Sequence, residues 1–200
     1  MEIILASSSP RRITLLQKLG LNFRVFPPTY EVEVKSNDPV ELAELKALEK
    51  ARCVARLFDR GLVIAADTVV FVDNEVLEKP KNVDEIKEFL RKLSGREHFV
   101  VTGIAIIDAS SMKEVVSSEL TKVRFRELSD EEIELYARTI EPLDKAGGYA
   151  IQGLAALFID RIEGDFWNVV GLPLALLYRL LKEHFGYNIL TELRTMCSLI

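Results

Sequence analysis

Residues 3–12 read Ile-Ile-Leu-Ala-Ser-Ser-Ser-Pro-Arg-Arg, which commits the chain to a strand, a tight polar turn and then a helix. The apolar run at 3–6 is short and suits a buried strand. Ser9 is a natural N-cap, and Pro10 fits the first helical position, where its missing N–H would be unpaired anyway. Ile13, Leu15, Leu16 and Leu19 give the helix an apolar face, and Gly20 stops it. The turn collects free N–H groups and the positive end of the helix dipole, beside the permanent charges of Arg11 and Arg12. That is an anion cradle suited to a phosphate group, set against the plainer reading of a charged helix start. No Gly-x-x-x-x-Gly-Lys follows and no glycine triplet is present, so the turn is neither a P-loop nor a dinucleotide-binding turn.

Strand and helix patterns alternate through the rest of the chain. Strands are expected at 2–6, 22–26, 62–66 and, after a pause at Asp67-Thr68, 69–72, with a hairpin return at Val76-Leu77. Two long strands follow at about 98–108 and 113–127, and a last one at 154–162. Helical spacing marks 10–19, 39–58 with Asp38 as cap, 83–93, and a segment to about 184 opened by Pro173. Ser129 and Glu132 form a capping box that opens another helix, to about 139. Mixed strands and helices without repeats or a linker predict an α/β fold with a cleft.

Composition narrows the function. The chain has 200 residues, 48% of them apolar and 28% charged, enough for one domain or one domain with two lobes. A net charge of −5 argues against general nucleic-acid or anionic-membrane binding, yet allows a local basic cluster. No segment reaches the roughly 20 apolar residues of a membrane span. The first residues read as a core strand rather than a signal peptide, and Cys53 and Cys197 make no disulfide framework, so a cytoplasmic protein is expected. Having only His98 and His184, each read as structural or surface, argues against a histidine-rich zinc site and a Ser-His-Asp triad. A metal, if used, would be Mg²⁺ or Mn²⁺ on carboxylate oxygens.

Asp67 is the leading candidate for chemistry. It follows a continuous apolar strand, and strand ends are where α/β folds place their sites. As general base or as metal ligand, it reads equally well. Lys79 projects from a segment that Pro80 keeps extended, and Lys50 lies on the helix at 39–58. With Arg11 and Arg12 these supply about four positive charges, the electrostatic clamp expected for phosphoryl chemistry. The loop at 144–153 adds Lys145, three glycines, Tyr149 and Gln152. Its glycines let backbone approach a ligand, and an amide can both donate to and accept from a base edge. Phe166 and Trp167 are assigned to the core.

In order, LASSSPRR (5–12), EKA (49–51), ADT (66–68), EKP (78–80), LSGREH (93–98), DKAGGYAIQG (144–153) and GDFWNVVGLP (164–173) resemble the Maf family of nucleoside triphosphate pyrophosphatases. The resemblance covers residues 1 to about 185 as one domain and leaves 186–200 outside it. It implies an elongated fold like that of inosine triphosphatases, two lobes around a deep central cleft. It implies hydrolysis of a nucleoside triphosphate to monophosphate and pyrophosphate with a divalent metal. It assigns the proton acceptor to Asp67 and phosphate binding to Ser7, Arg11, Arg12, Lys50 and Lys79. A family acid falls near Glu31, with Glu33 as an equal alternative, and would join Asp67 at the metal. Arg11, Thr68 and Gln152 match the branch acting on dTTP and UTP, where the 7-methyl-GTP branch has Trp, Gln and Glu. Housecleaning of the nucleotide pool, modified pyrimidine nucleotides included, and a link to division arrest come with the resemblance. So does its rival, a non-enzymatic nucleotide-binding regulator of septum formation. The apolar residues Ile189, Leu190, Leu193, Met196 and Leu199 suit either the core or the interface of a homodimer.

Overall fold

In a computed structural model describing residues 1–29 and 34–192, seven strands form one mixed sheet. Strands β1 (Ile3–Leu5), β2 (Phe23–Val25) and β3 (Leu62–Val72) begin the chain, with helices α1 (Pro10–Lys18) and α2 (Pro39–Ala55) between them. Next come β4 (Glu75–Leu77), α3 (Val83–Leu93), β5 (Glu97–Asp108), β6 (Lys113–Phe125) and α4 (Asp130–Ala137). Strand β7 (Ile159–Glu163), the short α5 (Phe166–Val170) and α6 (Leu174–Phe185) follow. The sheet order is β2-β1-β3-β5-β6-β7, with β4 paired to β3.

The edges of β3 position the site. One edge is covered by antiparallel β5 from Leu62↔Asp108 to Phe71↔Phe99. The other is shared. Parallel β1 pairs only from Ile3↔Leu62 to Leu5↔Ile64, and β4 only from Val70↔Leu77 to Val72↔Glu75. Between them, residues 65–69 have no strand neighbour on that edge, and a cleft opens there. The sequence pattern predicted a strand ending at Ala66. Instead β3 runs through Asp67 and Thr68 without a break, because β5 continues to pair with it.

Layers form on both faces of the sheet. Helix α2 lays Ala47, Ala51, Val54 and Ala55 on Ile4, Val63, Ala65, Ala105 and Ile107. Small residues allow close packing, and at Gly103 it becomes obligatory: an added Cβ would stand 2.4 Å from the Ala43 carbonyl oxygen. On the other face, α1 and α6 bury Leu15, Leu16, Leu177 and Leu181 against Ile3, Leu5, Leu62 and Ile64. Each such leucine contributes about 1.5–3 kcal/mol by leaving water. A further cluster joins α3, α4 and the far half of the sheet through Ile86, Leu90, Phe125 and Tyr136. The apolar core is thus divided into parts on either side of the cleft.

Local signals hold with some corrections. Asp38 caps α2 by accepting from the Val40 N–H at 2.9 Å, and the capping box of Ser129 and Glu132 is complete. The left-handed Asp73 and Asn74 make the predicted hairpin turn. Ser9 stands at the N-cap of α1, but its side chain makes no capping bond. The strand expected at 154–162 begins as a 3-10 turn at Leu154–Phe158 and becomes β7 only from Ile159. Trp167 packs on the core, whereas Phe166 is exposed. His98 is fully buried, and Tyr187 and Ile189 join the core while Leu190 stays exposed. Leu193, Met196, Cys197 and Leu199 lie outside the described residues, as do Glu31 and Glu33. Among the described residues, no helix is long and apolar enough to cross a membrane.

Candidate active site

Side chains alternate along β3, so neighbours point to opposite faces of the sheet. Asp67 shares the α2 face with Val63, Ala65 and Val69, while Thr68 shares the α1 face. Both open into the gap beside β3, and each meets a cation from the helix on its own side.

On the α2 side, Lys50 Nζ donates to Asp67 Oδ1 in a close ion pair. Burial pulls the Lys50 ammonium below the usual lysine range. Asp67 opposes this by charge and hydrogen bond, and Arg12 and Lys79 add repulsion. On the α1 side, Arg12 is held by three acceptors. Its Nε donates to the Gly171 carbonyl at 2.8 Å, Nη2 to Thr68 Oγ1 at 3.0 Å and Nη1 to Ser7 Oγ at 3.5 Å. Burial lowers its pKa to about 10, with Asp67 opposing and Arg11 assisting, so it stays charged at neutral pH.

Behind Thr68 runs a buried polar chain. Thr102 Oγ1 lies 2.9 Å from Thr68 Oγ1 and donates to the Asn168 carbonyl at 3.0 Å. Since that carbonyl only accepts, the Thr102 proton is committed to it, and Thr68 must donate its own proton to Thr102. The Thr68 oxygen is then left to accept from Arg12. Asn168 Nδ2 reaches the Val100 carbonyl at 2.9 Å and Thr121 Oγ1 at 2.8 Å.

The gap is a continuous cleft with two arms that share Ser8, Pro28, Lys50, Asp67, Thr68, Lys79 and Ala146. The first, about 380 Å³, is lined by Ser7, Ser9, Arg11, Arg12, Asp144, Lys145, Tyr149 and the exposed Gln152. The second, about 600 Å³, is lined by Thr29, Lys46, Val76 and Glu78 beside the shared lysines. Asp67 sits at their junction. Every expected site residue among those described, Ser7, Arg11, Arg12, Lys50, Asp67, Thr68, Lys79, Lys145 and Gln152, therefore lines one cleft.

The loop carrying Lys145 and Gln152 is stapled from behind. Gly147 has φ +72° and its N–H donates to the Glu78 carbonyl at 3.1 Å, while a Cβ there would meet Val70 at 2.8 Å. Glu141 accepts from Tyr136 Oη at 2.8 Å and from the Leu154 N–H at 2.8 Å. Lys145 Nζ donates to the Glu141 carbonyl at 2.7 Å and to Asp144, which lies 3.9 Å from Arg11 Nη1. Tyr149 Oη pairs with His98 Nε2 at 2.7 Å, and burial holds the His98 pKa down to about 3. Sequence reasoning gave no role to Thr102, Asn168, Glu141 or Lys46. A threonine inside the apolar run of β5 was the one available signal.

Among the described residues the Asp67 carboxylate offers hard oxygens at the junction of the arms, and Glu31 and Glu33, the other expected metal donors, lie outside the described residues. Among the described residues, no three His, Cys, Asp or Glu side chains gather into a metal cluster. A hard carboxylate donor set among phosphate-binding cations suits Mg²⁺ or Mn²⁺, since Mg²⁺ keeps waters and takes one or two carboxylates plus substrate phosphates.

Known proteins bear on the site at this point. The profile of the Maf-like protein family matches residues 2–184. The dTTP/UTP pyrophosphatase of Dictyoglomus thermophilum is 47% identical over 191 residues, covering 94% of this chain and 98% of its own. That of Carboxydothermus hydrogenoformans is 49% identical over 187 residues, covering 94% and 100%. Among solved structures, the Staphylococcus aureus Ham1 protein overlaps 62% of this chain and 72% of its own at 19% identity. Its TM-score is 0.48.

Proposed function

We propose that this chain, which belongs to the Maf-like protein family, hydrolyses dTTP and UTP to the nucleoside monophosphate and pyrophosphate. One observation carries the reading: the Asp67 carboxylate stands where two arms of a cationic cleft meet. A triphosphate lying across that junction puts its α-phosphorus beside Asp67, with nucleoside in one arm and terminal phosphates in the other.

Asp67 orients the attacking water and accepts its proton. Before substrate enters, Lys50 holds this carboxylate as an ion pair. An arriving phosphate draws the ammonium toward itself and leaves Asp67 free to act as base. Lys50, Lys79 and Arg12 stabilise negative charge on the phosphates as the bond to pyrophosphate breaks, and losing one such group costs roughly 10²–10³ in rate. Asp67 and Glu31, or Glu33 in its place, would hold a Mg²⁺ or Mn²⁺ ion. Such an ion supplies Lewis-acid polarisation of a phosphoryl oxygen and lowers the pKa of water.

Arg11, Lys145 and Gln152 line the nucleoside arm, where the Gln152 amide can pair with a uracil or thymine edge. Thr68 acts through Arg12, because its proton is committed to Thr102. Pyrimidine nucleotides, modified ones included, are the substrate class, and clearing them from the nucleotide pool is cytoplasmic work. The link to cell division would follow from that clearance.

Pyrophosphate release from dTTP and UTP in the presence of Mg²⁺ tests the reading and separates an enzyme from a mere nucleotide-binding regulator. Asp67→Asn is expected to lower kcat by about 10³ with the fold intact. A folded Asp67→Asn variant that turns over dTTP at a near wild-type rate would overturn the mechanism.

A further inference from the structure

Lys46 lies one helical turn before Lys50 on α2, so both ammoniums sit over the second arm of the cleft, opposite Lys79. The only ion pair of Lys46 among the described residues is with Glu78, at 3.8 Å. The partners are unequal: the Lys46 side chain is 23% exposed and that of Glu78 is 70% exposed. A sheltered cation thus faces a long contact from a solvated carboxylate on the rim, and such a contact contributes little. Glu78 is fixed there by its neighbours, since its backbone carbonyl accepts from Gly147 and Pro80 keeps the following residue extended.

Resting on the proposed function, we propose that the Lys46 arm is the pyrophosphate subsite, that Lys46 binds the phosphate farthest from Asp67, and that Glu78 is an internal competitor for Lys46. A diphosphate carries at least two charges into a sheltered, lysine-lined cavity and so displaces a single exposed carboxylate. Glu78 then has a second effect, because its charge at the rim repels the departing anion and favours product release.

The pair makes a signed prediction. If Lys46 and Glu78 merely brace α2 against β4, removing either loosens the arm and both changes weaken binding. If they compete as proposed, the two changes act in opposite directions. Calorimetric titration with inorganic pyrophosphate, and separately with dTMP, distinguishes these without depending on turnover. Lys46→Ala is expected to weaken pyrophosphate about fivefold, the scale of one partly exposed ionic contact. Lys46→Arg should keep the wild-type constant, and Glu78→Gln should tighten binding about twofold on the same scale. dTMP, which occupies the other arm, should bind all forms alike. Equal weakening by Lys46→Ala and Glu78→Gln, or a dTMP shift as large as that for pyrophosphate, overturns the assignment. A wild-type protein that binds pyrophosphate but fails to hydrolyse dTTP counts against the proposed function and leaves the subsite standing.

Discussion

The two cationic walls of the cleft are built in opposite ways. On the α1 wall, Arg12 has its guanidinium committed to Gly171, Thr68 and Ser7, and Thr68 is itself held by Thr102 and Asn168. On the α2 wall, Lys50 holds Asp67, Lys46 reaches loosely to Glu78, and Lys79 has no ion pair among the described residues. A planar fork with fixed partners keeps its geometry whether or not a ligand is present. Ammoniums on flexible stems exchange one anion for another. Under the proposed hydrolysis the contrast becomes a division of labour, in which the arginine wall sets where the α-phosphate lies and the lysine wall follows the charge as it moves to the leaving group.

The sharpest way to break this contrast is to make the arginine wall behave like the lysine wall. Arg12→Lys keeps the charge but cannot serve Gly171, Thr68 and Ser7 together, and kcat/KM for dTTP should fall about 100-fold. If Arg12→Lys costs less than threefold, charge alone suffices and the walls do not differ. A milder change reaches the same wall from behind. Thr102→Val removes the acceptor of the Thr68 proton and the donor to the Asn168 carbonyl. It should cost about 1–3 kcal/mol of stability and raise KM for dTTP several-fold, while Thr102→Ser restores both. A loss of stability with KM unchanged would reduce Thr102 to a core residue.

The smallest effect concerns the loop opposite, where His98 anchors Tyr149. The folded His98 pKa of about 3 lies below the ordinary value of about 6.5, so the unfolded chain takes up a proton first as the medium acidifies. The contribution of neutral His98 is therefore complete above pH 6.5 and is lost as pH falls from there toward 3. At pH 5 the loss is about 2 kcal/mol. Melting curves at pH 7 and pH 5 should show a smaller acid shift for His98→Gln than for the wild type. Identical shifts would mean that other groups dominate the acid response.

Much of this molecule was legible in the sequence. The strand-turn-helix at 3–12, the caps at Asp38 and Ser129 and the turn at Asp73-Asn74 are local devices, decided by residues a few positions apart. The candidate residues were legible too, because Asp67, Lys50, Lys79 and the arginines carry the charge types that the chemistry needs. What remained hidden was relational. Asp67 looked like the end of a strand because its apolar run stops there, yet β5, over thirty residues later, carries β3 straight past it. Nothing local assigns a role to Lys46 on its helix or Thr102 in its strand, because each takes its place from distant segments.

The sequence by itself determined the elements, the charges and the candidate carboxylate, because periodicity, capping and side-chain chemistry are properties of neighbouring residues. Only the tertiary structure decided where the cleft opens and what lines it. It exists because β1 and β4 pair with two separate stretches of the same edge of β3 and leave five residues open between them. Such a gap depends on strand register between distant segments, and no local pattern encodes it.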